Sequence, residues 1–127
     1  MKILVDTNRY TDFVHKMPDA VDHFMEADKV VMPFVVIAEL RAGYRNGAHA
    51  DRNDADLATF LRGSKVETLF ADMETTRIYA ELYASMRRAG TPIPTNDLWI
   101  AALAVQHSLP LYTRDKHFEK VRDLTLL

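Results

Sequence analysis

Short apolar runs alternate with longer stretches of helical periodicity along all 127 residues. Lys2 to Val5 reads as a short buried strand, closed by the cap-forming run Asp6-Thr7-Asn8. The next helix is expected to turn Tyr10, Phe13 and Val14 inward. Pro18 suits the first turn of a second helix, in which Val21, Phe24 and Met25 fall at helical spacing. Val30-Val31-Met32 is a second buried strand, and Pro33 opens a helix through Val36, Ile37 and Leu40 that ends near Gly43 or Gly47. From about Asp51 to Leu61 a polar helix carries one apolar stripe, Leu57, Phe60 and Leu61. Val66 to Phe70 alternates as a strand does. Asp72 to Ala89 is the longest predicted helix, with Ile78, Leu82 and Met86 on one face, Tyr79 and Tyr83 beside them, and Gly90 as its stop. Thr95 and Asn96 are placed to cap an apolar helix from Leu98 to Val105. Pro110 to Thr113 is a fourth strand, Lys116 to Val121 a short helical turn, and Leu124 to Leu127 an edge strand.

Strands that alternate with helices imply a mostly parallel sheet covered on both faces. Such sheets bind ligands at the carboxyl ends of their strands. Asp6 and Asp115 each lie just past a predicted strand. Asp97 begins a helix that feeds the last inner strand, and Glu39 sits about a turn and a half into the helix after the second strand. One pocket is therefore positioned to receive all four. Gathered carboxylates repel, and a hard cation normally offsets that repulsion. The leading chemistry is hydrolysis of a phosphodiester with Mg²⁺ or Mn²⁺. Each acid also has an ordinary reading. Asp6 and Asp115 suit helix caps or a turn, and Asp97 complements a helix dipole. Glu39 interrupts an apolar run between Ala38 and Leu40, where an unpaired carboxylate is costly.

Composition narrows the field. The length suits a single domain over residues 1–127 that buries a core without staples. The absence of cysteine removes disulfides, thiolate zinc sites and cysteine nucleophiles, and fits a cytoplasmic protein. The N-terminal apolar run is too short for a signal peptide, and no stretch is long and apolar enough for a membrane span. A formal net charge of −2 argues against a general nucleic-acid coat but leaves room for an acidic pocket with a basic rim. His15, His23, His49, His107 and His117 show no metal-binding spacing such as His-Glu-x-x-His.

Four segments together resemble a known family: Leu4-Val5-Asp6-Thr7-Asn8, Ala38-Glu39-Leu40, Ile93 through Ala102 around Asn96-Asp97-Leu98, and Leu109 through Asp115. They are similar to PIN domains, above all the VapC-type ribonuclease toxins of toxin–antitoxin pairs. The resemblance spans the whole chain in order. It implies a three-layer α/β/α fold, a divalent metal, RNA cleavage, frequent homodimers and a cognate antitoxin. It places Asp6 and Asp97 as direct or near-direct metal ligands, Glu39 on metal through water or on the attacking water, and Asp115 completing the site. Thr7, Asn8 and Thr113 are expected to hold carboxylates or a phosphate by hydrogen bonds, or to serve as caps. Arg9, Arg41, Arg45, Arg114 and Lys116 lie near the motifs as RNA-contact candidates or as solvated surface charges. Many relatives carry a further Asp where this chain has His117, so a fifth acid is absent.

Other classes fit less well. A receiver domain wants adjacent acids after the first strand and a Lys after the last; neither is present. A haloacid-dehalogenase-type phosphatase wants Asp-x-Asp where this chain has Asp6-Thr7-Asn8. A catalytically weak PIN-like interaction module and a housekeeping RNA-processing nuclease remain as alternatives.

Overall fold

The computed structural model describes residues 1–127. The strands are β1 (Lys2–Val5), β2 (Lys29–Pro33), β3 (Val66–Leu69) and β4 (Leu111–Tyr112). The helices are α1 (Thr7–Val14), α2 (Pro18–Glu26), α3 (Phe34–Arg45), α4 (Ala50–Leu61), α5 (Met73–Arg88) and α6 (Thr95–Gln106), followed by a 3₁₀ turn at Lys116–Lys120. The strands form one sheet in the order β3-β2-β1-β4, and every pairing is parallel. Leu4 is the hub of the register, facing Val31 on one side and Leu111 on the other.

Strand order dictates the layers. The chain steps from β1 to β2 to β3 in one direction, then returns past all three to place β4 beside β1. Parallel crossovers are right-handed, so connections that run in opposite directions cover opposite faces. Helices α1 to α4 therefore share one face, and α5 with α6 covers the other, giving three α/β/α layers. Aromatic packing agrees with this. Phe13 of α1 stacks on Phe24 of α2 at 4.3 Å, and Phe60 of α4 joins both. On the other face Tyr79 of α5 meets Trp99 of α6 at 4.2 Å.

The two inner strands are buried beyond their leading lysines, Lys2 and Lys29, as parallel strands covered on both faces must be. Helix α6 buries Leu98 and the unbroken run Ile100 to Ala104, so the small alanines let it sit close against its neighbours. The predicted elements are present, with three departures. The inner face of α1–α2 is narrower than the periodicity implied: Tyr10, Phe13 and Phe24 fill it, leaving Val14 and Met25 exposed. The α6 cap is not Thr95 or Asn96. The helix starts at Thr95 behind Pro94, whose fixed backbone makes the entry without any side-chain cap. The last segment forms only an isolated parallel bridge, Leu126 to Leu111, because β4 is two residues long and offers little edge to extend.

Helix α5 is tied to α6 through Thr75, which is fully buried. Its hydroxyl accepts from the Asp72 N–H at 2.9 Å and donates to Gln106 Oε1, while Gln106 Nε2 donates to Asp72 Oδ1 at 2.9 Å. This capping box thus also fixes the far end of the helix that carries Asp97. Thr75→Val should leave the Asp72 N–H and the Gln106 carbonyl without their partner at a part-buried junction. The expected loss is about 1–3 kcal/mol, read from urea midpoints at unchanged slope.

Candidate active site

The chain reverses its direction across the sheet between β1 and β4, and open α/β sheets bind ligands in the crevice at the carboxyl ends of their strands at such a point. Asp6 leaves β1 there and is almost wholly buried, 3% exposed. Its carboxylate is held on both oxygens. Oδ1 accepts from the Thr7 N–H at 2.8 Å; Oδ2 accepts from the Thr113 hydroxyl at 2.6 Å and from Asn8 Nδ2 at 3.2 Å. Asp6 is thus the N-cap of α1, as its ordinary reading held, and also the floor of the crevice.

The other acids are reached from Asp6 by a continuous line of contacts. On one side the Thr7 hydroxyl donates to Glu39 Oε1 at 2.9 Å, bringing in α3. On the other side the Thr113 hydroxyl, having donated to Asp6, accepts from the Asp115 N–H at 3.0 Å. Asp115 Oδ2 lies 3.8 Å from His117 Nε2, and that nitrogen lies 2.6 Å from Asp97 Oδ2 on α6. Ligand atoms of Asp97, Asp115 and His117 all fall within 4.8 Å of one another. Neither Asp97 nor Asp115 makes a side-chain cap bond, but Asp97 lies in the first turn of α6, as its dipole reading held, and Asp115 sits at the entry of the 3₁₀ turn.

Electrostatics follow from the crowding. Burial is the main force that raises the Asp6 pKa; Asp115 and Glu39 push the same way, against the Thr113 and Thr7 hydrogen bonds. Asp97 is pushed up to about 6, by burial first and then by Asp6, with Asp115 adding to it and His117 opposing. Asp6 therefore feels Asp115 and Glu39, and Asp97 feels Asp6 and Asp115.

Asn8, Thr7 and Thr113 each bond a carboxylate, and the Asn8 side-chain oxygen also accepts from the Arg114 N–H at 3.1 Å. The basic candidates separate. Arg9 is locked inside, against Asp12 at 3.2 Å and Asp19 at 3.7 Å, with its guanidinium 4.4 Å from the centre of the Tyr112 ring. Arg114 makes a two-pronged bond to Asp12 at 2.8 and 3.1 Å. Arg41 pairs with Asp54 at 2.9 Å and Arg45 reaches Asp51 at 4.0 Å, both exposed, and Lys116 is exposed at the start of the 3₁₀ turn.

Two residues escaped the sequence reading. His117 was taken as a missing acid, whereas its ring nitrogen stands among the carboxylates. No spacing along the chain signalled this, because the 3₁₀ turn over Lys116–Lys120 brings His117 beside Asp115 and its nearer partner Asp97 belongs to α6. Asp12, which anchors two arginines, left no signal at all.

The PIN domain family model matches residues 3–124. The chain belongs to the PIN domain family. Among its relatives, Ribonuclease VapC5 of Mycobacterium tuberculosis is 36% identical over 98 residues, 77% of this chain and 73% of the relative. Ribonuclease VapC1 of Haemophilus influenzae strain R2866 is 27% identical over 129 residues, 98% of this chain and 95% of the relative. In structure, the chain superposes on a component of VapBC2 from Rickettsia felis, crystallised with a DNA fragment from its promoter. The TM-score is 0.87 and the identity 26%, covering 100% of this chain and 98% of the other.

The raised acid pKa values carry a sign. A folded state that holds a proton more tightly than the unfolded chain is favoured at low pH and loses that advantage as pH rises. For Asp97 the loss should run from the ordinary carboxylate value of 3.8 up to about 6. In EDTA, Asp97→Asn should remove that part of the slope and show a urea midpoint at or above wild type at pH 8, with the gap closing near pH 4. A variant clearly less stable than wild type at pH 8 would show that the acids do not strain the metal-free fold.

Proposed function

We propose that the chain is a divalent-metal-dependent endoribonuclease, the toxin of a VapBC-type toxin–antitoxin pair. One observation carries the reading: Asp6, Glu39, Asp97 and Asp115 come from four separate parts of the chain to the sheet edge between β1 and β4, the first two and Asp115 joined through Thr7 and Thr113 and Asp97 reached through His117. The names of its relatives supply the substrate class and the partner.

The donor set fits a hard or borderline divalent cation. Two acids in this crevice hold protons more tightly than free carboxylates do, and Asp97, Asp115 and His117 present three donor atoms close together. Asp97, Asp115 and, beneath them, Asp6 would hold Mg²⁺ or Mn²⁺. When bound, such an ion lowers the pKa of its water and neutralises charge on the phosphoryl and leaving oxygens. The chain does the rest. Thr113 and Thr7 hold Asp6 and Glu39 so that neither turns away as a strand enters. Glu39, fixed by Thr7, orients the attacking water and takes up its proton. Exposed Arg41, Arg45 and Lys116 are available to phosphates. Arg9 is not, because Asp12, Asp19 and the Tyr112 ring enclose it.

The antitoxin has a place to dock. Beside Arg41 an open apolar depression is lined by Phe34, Ile37, Ala38, Leu61 and Phe70. Phe70 is 68% exposed there and stacks only loosely on Phe34, at 6.3 Å. A partner segment can lay apolar side chains in this depression and send an Arg or Lys toward the acidic crevice. The weak-module reading is disfavoured by the intact quartet.

Asp6→Asn and Asp97→Asn should each cut metal-dependent cleavage of a mixed RNA pool by more than about 100-fold, while leaving the circular dichroism unchanged. Thr113→Val should cost less, roughly 10–100-fold, as an indirect support of the ligands. Folded Asp97→Asn protein that cleaves at the wild-type rate would overturn the site. Wild-type protein should also gain about 2.7 kcal/mol of stability at a hundredfold excess of ion over its Kd.

Expression of the wild-type chain alone should arrest bacterial growth, and expression of Asp97→Asn should not. Rescue should follow co-expression of a small protein encoded beside it. Normal growth in cells that contain demonstrably active nuclease would reject the toxin while leaving the nuclease standing.

A further inference from the structure

We propose that His117 is a direct nitrogen ligand of the metal centre and that it biases the site toward a transition-metal ion, Mn²⁺ over Mg²⁺. The inference rests on the metal-dependent reading given above and adds the identity of the preferred ion.

Geometry puts the imidazole where a ligand has to be. Its Nε2 is 2.6 Å from Asp97 Oδ2 and 3.8 Å from Asp115 Oδ2, so it faces both of the more accessible acids at once. The backbone leaves it little choice. Phe118 is fully buried and anchors the 3₁₀ turn, and the Phe118 N–H is donated back to Asp115 O at 3.4 Å. The two rings lie 5.1 Å apart, so the core residue limits the swing of its neighbour. No other histidine joins this cluster of ligand atoms.

Chemistry then decides between ions. Mg²⁺ asks for six oxygens in near-ideal octahedral geometry and gives up its waters reluctantly. A neutral imidazole suits first-row transition metals far better than it suits Mg²⁺. To coordinate, the ring must carry its hydrogen on Nδ1 and turn the Nε2 lone pair inward, and the present contact with Asp97 is then replaced by a shared ion. A carboxylate at this position would add negative charge and one more hard oxygen. The histidine instead holds the local charge down and softens the donor set. The competing arrangement is also definite: Nε2 keeps its hydrogen, positions Asp97 by donating to it, and never touches the ion.

Tag-free wild-type protein, His117→Asp and His117→Ala test the two arrangements, with Mg²⁺ and Mn²⁺ alone as probes. Calorimetric titration should show wild type binding Mn²⁺ more tightly than Mg²⁺, and that preference should fall by about tenfold or more in both variants. His117→Asp, which restores an oxygen donor, should gain Mg²⁺ affinity. Pulsed electron paramagnetic resonance of the Mn²⁺-loaded wild type should show modulation from a directly bound ring nitrogen, absent from both variants. Binding of both ions with no nitrogen modulation and an unchanged Mn²⁺/Mg²⁺ ratio overturns the proposal and leaves the nuclease reading intact. Failure of wild type to bind either ion overturns both.

Discussion

A single buried carboxylate organises this molecule. Asp6 is placed by β1, caps α1, accepts from Thr113 across the sheet and borders Glu39 through Thr7. Burying a charge is costly unless its lone pairs are used, and here both oxygens have donors. The arrangement satisfies hydrogen bonds without supplying a positive charge, so a negative centre remains at the head of the sheet. The nearest arginines are held elsewhere: Asp12 grips Arg114 by two prongs and Arg9 by one. Asp12 keeps its own basic neighbours from filling the crevice, and the free charge is left for something that arrives from outside.

How far the sequence foretold this can be judged element by element. The strands were legible because parallel strands buried on both faces read as short unbroken apolar runs, and Ile3-Leu4-Val5 and Val30-Val31-Met32 are such runs. The long α5 was legible through its stripe and its Gly90 stop, which adopts φ +74°. The placement of the four acids followed from one rule, that parallel sheets bind at their carboxyl edges. Less legible were the features that depend on the third dimension alone. Pro94 sets the entry of α6, a job the periodicity assigned to Thr95 and Asn96. The fate of Arg9 depends on Asp19 of the next helix and on Tyr112, which is far from it in the chain. His117 was hidden for another reason: a residue type was judged by motif spacing along the chain, whereas its partner Asp97 belongs to a different helix.

The threonines illustrate how one short side chain can serve two masters. Thr113 donates to Asp6 and accepts from the Asp115 backbone, so the positions of two acids depend on one hydroxyl rotor. Thr75 plays the same double part at the opposite end of α6, between Asp72 and Gln106. Helix α6 is therefore fixed at its far end by a buried hydroxyl and at its near end by the charged cluster. The packing of its small residues lets it sit deep enough for both.

The order of the strands has a consequence for the moment of synthesis. A ribosome delivers the chain from its N-terminus, and early segments begin to fold before later ones exist. Strands β1, β2 and β3 with α1 to α5 can assemble as the chain grows, yet Asp6 then faces an empty sheet edge. Its partner strand arrives only with Leu111, and Thr113, Asp115 and His117 follow at once. A growing chain thus carries no completed centre until β4 and the residues through His117 have been made. For the nuclease proposed above, assembling the blade late keeps it sheathed while its earlier segments are already folding beside the message that encodes them.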